Sequence, residues 1–345
     1  MFVCACYLAA RLVVHDREGL RRFLVGLSVP VVPSVLLGLA QLTGVGGASH
    51  FVIDLTGSQA LIDRAEQHAL TRASGLIGQW TDFGSYACAE IAIVVILIYL
   101  ARSEGRRAIY PVVVLAAALV GVVSTLTFAV IAAAIAIVLL SARTVRIRPK
   151  FVLGAAAALT LSAPLLIPFV VNRVQQEYVA TNQTLSRSSG LVPETLVFRI
   201  GVWAHQTIPA VVERPITGWG QGVYTQLRTW TDGPMPIVWP YPESEWFQQL
   251  MTGGVVELLV FSALLISAYR ALARAPKQIA KPLRVLIGSM VLVGITVPCF
   301  SDVGLPVPMW AAVGAVISAA PAMSSTRALA LGAAREESRL GCTLR

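Results

Sequence analysis

The chain has 345 residues, 56% of them hydrophobic and 13% charged, with a mean hydropathy of +0.72 and a formal net charge of +9. Those proportions lie far from the soluble average and place the chain in a bilayer. The positive charge does not point to nucleic acid, because Arg and Lys fall in short clusters between apolar runs and form no single basic domain.

Taken in chain order, residues 1–14 are apolar but short and interrupted by Arg11, so they make a partial span at best. They lack the basic start and small-residue cleavage site of a signal peptide. Full spans, each near the roughly 20 apolar residues a bilayer requires, are expected at 23–43, 83–101, 110–123, 125–141, 151–171, 253–272, 283–300 and 305–323. The third and fourth nearly abut. Ser124 and Thr125 mark a tight turn there, with one long kinked segment as the alternative. The fold class is therefore all-α: a polytopic membrane helix bundle of about eight or nine transmembrane helices.

Basic residues test this layout, since loops on the cytoplasmic side are enriched in Lys and Arg. With strict alternation, nineteen of the cations fall on one side and seven on the other, Arg11 being unassigned. The rich clusters are 17–22, 102–107, 143–150, 270–284 and the tail 324–345. The expected organisation is then an N-terminal helical part, 1–171, with a first external loop at 44–82. A large extracytoplasmic loop at 172–246, carrying short helices, follows. Helices at 247–323 and a cytoplasmic tail at 324–345 complete the chain. The location is the cell (inner or plasma) membrane, crossed several times, with lipid as the surrounding partner.

Five cysteines, Cys4, Cys6, Cys88, Cys299 and Cys342, avoid the two large external loops, which argues against a disulfide framework. Walker, HExxH, GxSxG and paired CxxC patterns are absent from the sequence. His15, His50, His68 and His205 have no Cys or carboxylate at ligand spacing, so neither a metal nor a cofactor is expected.

Arginines on the cation-poor side call for their own account, and Arg72, Arg199 and Arg214 are the candidates. A planar guanidinium can clamp a phosphate or diphosphate with two parallel hydrogen bonds, although an Arg at a helix end also serves as a headgroup anchor. Arg199 and Trp203 are four residues apart and share one helix face. The block from Pro215 to Gly222, with Gly218, Gly220 and Gly222 alternating, lets a backbone turn sharply and approach a ligand. Within the spans, Glu90 and Glu257 are costly facing lipid and are expected to face inward. Asp302 reads as a solvated turn residue.

These elements together resemble the O-antigen ligase and Wzy-type O-antigen polymerase superfamily. The resemblance is carried by Arg199-x-x-x-Trp203 followed by Pro215-x-x-Gly218-x-Gly220-x-Gly222, by Arg72-Ala73-Ser74-Gly75 ahead of a helix, and by Glu243-Ser244-Glu245 with Gly254 further on. It covers about Phe23 to Met323. It implies a membrane glycosyltransferase acting in cell-surface polysaccharide biosynthesis, using an undecaprenyl-type diphosphate-linked oligosaccharide as donor and a glycan or lipid as acceptor. Nucleotide sugar and metal are not required, and chain-length or export proteins are possible partners.

The resemblance implies that Arg72, Arg199, Trp203, Arg214, Gly218, Gly220, Gly222 and Ser244 bind substrate, with Glu243 or Glu245 as the base. Glu243 stands where the ligase branch has a His, which favours a polymerase. Thr127-Phe128 stands where a Ser-Arg pair is common. The family also has more spans before its first external element, so the chain is expected to begin inside the family's N-terminal half. The competing expectations are a transporter or flippase, compatible with Pro30 and Pro33, Pro164 and Pro168, and Glu90, and a non-catalytic membrane partner.

Overall fold

The computed structural model describes residues 2–59, 61–62, 72–145, 160, 162–164, 166–172, 175, 194–222, 242–301 and 304–323. Residues 151–159, 161 and 165 of the span expected at 151–171, the cluster 146–150, parts of the large loop, Asp302 and the tail 324–345 lie outside the described residues. So do Met1, Arg64, His68, Arg173, Arg187 and Arg228.

Among the described residues the structure is helical and has no strand. The helices are α1 (Phe2–Val13), α2 (Arg17–Ser28), α3 (Val31–Thr43), α4 (Ala48–Thr56), α5 (Trp80–Ser103), α6 (Ile109–Ser124) and α7 (Phe128–Val145). Two short helices follow, α8 (Glu194–Val202) and α9 (Ile208–Glu213), joined by a π-helical turn at Trp203–Thr207. Then come α10 (Glu245–Leu272), α11 (Lys277–Val293) and α12 (Pro306–Met323).

Among the described residues, four stretches are long and apolar enough to cross a membrane: Arg17–Thr43, in which α2 and α3 run on through Val29 and Pro30, α5, α10 and α12. At 24 residues α5 is about 36 Å long, slightly more than the roughly 30 Å of hydrocarbon in a bilayer. The apolar helices α1, α6 and α7 are shorter. α11 is also short, with Lys277, Lys281 and Arg284 in its first half.

α6 and α7 are separate helices, as Ser124 and Thr125 suggest. Both hydroxyls donate back into the last turn of α6, Ser124 to the Gly121 carbonyl and Thr125 to that of Val122, each at 2.7 Å. Carbonyls that a helix end leaves open are thereby occupied. Leu126 then takes a positive φ of 51°, and the chain reverses.

The bundle is built around α5, whose apolar window is 89% buried and which packs against α2, α6, α7 and α11. α3 lies on α6, and α10 on α11. α1 rests on α12 through an edge contact between Tyr7 and Trp310 and a bond from the Ser318 hydroxyl to the Arg11 carbonyl. The outer faces are apolar. Only 22% of the apolar window of α10 is buried, and Val256, Leu259, Val260 and Ile266 are exposed along it. Apolar surface of that extent is stable against lipid and unfavourable in water.

Polar groups sort to the two ends of this bundle. At one end Arg17, Arg21, Arg22 and Arg106 surround Glu18 and Glu104, with contacts of 3.3 Å from Arg17 to Glu104, 3.0 Å from Arg22 to Glu18 and 3.2 Å from Arg106 to Glu104. Lys277, Lys281 and Arg284 begin α11 at that same end. The opposite end collects the start of α5, the α6–α7 turn, the start of α10 and the segment joining α11 to α12.

Candidate functional site

The first element at this second end is the segment from Arg72 to Trp80. Its backbone is held by two polar side chains that α3 presents inward. The Gln41 carboxamide oxygen accepts from the Ser74 and Gly75 amides at 3.0 and 3.1 Å, and its nitrogen donates to the Ser74 hydroxyl at 3.0 Å. Ser34 accepts from the Leu76 amide at 3.1 Å, and the Ala73 amide bonds the Ser124 carbonyl. Gly75 has φ +54°, and a Cβ there would lie 2.5 Å from the Ser34 oxygen. Glycine is required twice over, by conformation and by space. Arg72 leaves this anchored segment with its guanidinium 5.5 Å from the Trp80 ring centre.

The second element is a break in α10. Gly254 adopts φ 65° and ψ −158°, so the helix stops and restarts, which leaves carbonyls before the break and amides after it without helical partners. The segment 215–220 fills the gap. Val255 and Val256 donate to the carbonyls of Pro215 and Ile216 at 2.8 and 3.4 Å, while Trp219 and Gly220 donate to the carbonyls of Met251 and Thr252 at 2.8 and 2.7 Å. The fit leaves no room for a side chain at the crossing. A Cβ on Gly218 would lie 2.6 Å from the Thr252 oxygen, and one on Gly254 would lie 2.3 Å from the Ile216 oxygen.

The glycine block is therefore divided. Gly218 serves backbone docking, whereas Gly220 and Gly222, at φ +90° and +78°, meet nothing among the described residues where a Cβ would be. Arg214 stacks on Trp219 at 4.3 Å, and the Trp219 indole donates to the Ala210 carbonyl at 2.8 Å. Met251 and Ala210 make a small buried core beneath. Glu257, one turn past the break, accepts from the Thr252 hydroxyl at 2.7 Å.

The third element joins α8 to the start of α10. Arg199 and Trp203, on one face as their spacing implies, both grip residues 242–243. The Trp203 indole donates to the Pro242 carbonyl at 2.6 Å, its ring packs on Phe247 at 5.4 Å, and the Arg199 Nε lies 3.5 Å from the Glu243 carboxylate. Both charged side chains keep about a quarter of their surface exposed, 25% for Arg199 and 23% for Glu243. Glu243 has a positive φ of 52°. A non-glycine residue in that region carries strain of about 1–3 kcal/mol, which the surrounding contacts must offset. The π-helical turn starts at Trp203, and such turns recur where a side chain must be aimed.

Ser244 and Glu245 face the other way. Ser244 donates to the Gly294 carbonyl at 3.3 Å, and the Glu245 amide donates to it at 2.8 Å. The Glu245 side chain is fully buried. Its carboxylate accepts from the amides of Phe300 and Ser301 at 2.8 and 3.0 Å, from the Ser301 hydroxyl at 2.7 Å and from Gln249 at 2.7 Å. Four donors occupy both oxygens, so this group ties the start of α10 to the segment after α11. That segment also reaches α5, because a Cβ on Gly304 would lie 2.2 Å from the Asp82 oxygen.

The structure thus brings Arg199, Trp203, Glu243, Ser244 and Glu245 together, with Arg214, Gly218, Gly220 and Gly222 beside them at the α10 break. Arg72 stands on a separate element whose link to the rest runs through Asp82, Gly304, Ser301 and Glu245. Gln41, Ser34, Gln249 and Ser301 were not singled out from the sequence. Their signal was a polar side chain inside an apolar helix or beside one. Among the described residues no group of three His, Cys, Asp or Glu is placed to hold a metal. No protein-family model, curated protein or solved structure matches the chain.

Proposed function

We propose that the chain is a polytopic membrane glycosyltransferase that takes a glycan from a polyprenyl diphosphate and transfers it to an acceptor hydroxyl outside the cytoplasm. In this reading eight or nine spans cross the cell membrane, the loop 172–246 is extracytoplasmic and the tail 324–345 is cytoplasmic. Chain extension is favoured over a single transfer, because Glu243 replaces the His of the ligase branch.

The observation that supports this reading is the Arg199–Glu243 pair at 3.5 Å, held beside Trp203 and part-exposed at one end of an apolar helix bundle. A diphosphate carries more charge than one carboxylate and offers the geometry a guanidinium fits best, so it can draw Arg199 away from Glu243. The freed carboxylate then takes the proton from the acceptor hydroxyl as its oxygen bonds to the anomeric carbon. The bond from that carbon to the diphosphate breaks, and the leaving oxygen's charge is met by Arg199 and Arg72. Glu245, with its lone pairs occupied, positions Glu243 and does not act as the base.

The test is reconstitution of the full chain in nanodiscs with a polyprenyl-diphosphate oligosaccharide, following released polyprenyl diphosphate and product length. A ladder supports a polymerase and a single addition a ligase. Absence of release from folded protein refutes the proposal. A transporter is the second reading, favoured by Glu90, which is fully buried in α5 with neither carboxylate oxygen hydrogen-bonded. That reading requires Glu90→Gln to abolish function while Arg199→Lys spares it.

A further inference from the structure

Reaching from the end of the bundle opposite this site, a cleft of about 740 Å³ opens between α7, the end of α10 and the length of α11 from Lys277 to Leu292. Its mouth is basic. Lys277, Lys281 and Arg284 follow one another at four- and three-residue spacing and so share a face, at the positive end of a 17-residue helix. Its depth is apolar, walled by Val285, Leu292 and Leu140, with Gly288 between them offering open space where a side chain would be.

Among the described residues the charge in this mouth has no acidic partner. Elsewhere at the same end Arg17, Arg21, Arg22 and Arg106 have Glu18 and Glu104 among them. The sequence, by contrast, has no Asp or Glu between Glu257 and Asp302, and none of Lys277, Lys281 and Arg284 has an ion-pair partner among the described residues. Arg284 is held in place, its guanidinium 4.1 Å from the Tyr269 ring centre, with Nε buried and without a hydrogen bond. Arg284 also lines the cleft, so an oxyanion seated there meets its guanidinium.

The apolar slot identifies the anion's carrier. From Lys277 to Leu292 the helix rises about 22 Å, enough to reach well into the roughly 30 Å hydrocarbon layer. Leu140 and Leu292 are 44% and 67% exposed, so the slot opens sideways toward lipid. A soluble phosphate would use the mouth and leave the slot empty, whereas a lipid uses both. We propose that the cleft holds one anionic glycerophospholipid, its phosphate among Lys277, Lys281 and Arg284 and an acyl chain along Val285 to Leu292. This site is independent of glycan transfer.

Native mass spectrometry of the full chain in mild detergent tests it, with phosphatidylglycerol, phosphatidylcholine of the same chains, or inorganic phosphate added. The expected result is one retained phosphatidylglycerol per chain, weak phosphatidylcholine adducts and no phosphate adduct. The K281Q/R284Q variant should lower phosphatidylglycerol retention by about fivefold for each cation removed. Gly288→Phe, which fills the slot without changing charge, should displace the lipid as well, and a monodisperse elution profile shows that each variant is folded. Equal retention of the two lipids, or retention untouched by both variants, would overturn the proposal. Phosphate binding that survives Gly288→Phe would show a free-anion site instead and overturn it too.

Discussion

Glu243 and Glu245 are two positions apart and chemically identical, yet their surroundings divide them. Glu243 sits at a positive φ beside Arg199 with part of its side chain exposed, while Glu245 is enclosed by four donors. If Glu243 is the base, Glu243→Gln should reduce polyprenyl diphosphate release by about two to four orders of magnitude at unchanged melting temperature. Glu243→Gly is the sharper probe. It relieves the left-handed strain and should raise stability by about 1 kcal/mol while still abolishing turnover, an outcome no purely structural role would produce. Glu245→Ala leaves buried donors unsatisfied and should cost about 3–5 kcal/mol, read as loss of folded protein in a thermal melt. Arg199→Lys keeps the charge but not the planar two-point clamp, and release should fall by about 10²- to 10³-fold.

At the scale of elements, the break in α10 and the loop that repairs it form one unit. Neither makes sense alone, because the amides of Val255 and Val256 need the Pro215 and Ile216 carbonyls, and the Met251 and Thr252 carbonyls need the Trp219 and Gly220 amides. Gly218→Ala or Gly254→Ala sets a methyl against backbone that cannot yield, and should destabilise by about 2–4 kcal/mol. Gly220→Ala meets open space and should cost only about 1–2 kcal/mol, the strain of its left-handed backbone. Thermal unfolding of the three variants, run side by side, checks the ranking. The short helices α8 and α9 owe their placement to the same unit, since Trp219 anchors on Ala210 and Trp203 on Pro242.

For the whole molecule, the two polar ends give the proposed topology a direct test. Thr217 lies in the exposed part of the repair loop and Arg107 in the basic turn after α5. In spheroplasts, Thr217→Cys should react with an impermeant maleimide without permeabilisation, and Arg107→Cys only after it. The reverse pattern would invert the orientation. Glu90 is the test of the competing reading at this scale. Its carboxylate lies deep in the central helix without a hydrogen bond, and Glu90→Gln should leave glycan transfer within about threefold of the parent if Glu90 has no catalytic part.

Helix positions were legible in the chain because they depend on local composition. α5 coincides with its apolar run, and the α6–α7 turn falls where Ser124 and Thr125 interrupt the Val and Ala residues. The grouping of Arg17–Arg22, Arg102–Arg107 and Arg270–Arg284 at one end was equally readable, since alternation of spans dictates it. Likewise the shared face of Arg199 and Trp203 follows from helical spacing alone. The tertiary structure decided the rest. Gly218 docks on the broken helix α10, more than thirty residues away along the chain, and Gln41 holds the Ser74 and Gly75 amides across a similar separation. The division of labour between Glu243 and Glu245 depends on Arg199, Phe300 and Ser301, which are distant in sequence. A hydrogen bond between residues so far apart in sequence has no periodicity or composition to announce it, so only the folded chain determines which polar groups meet.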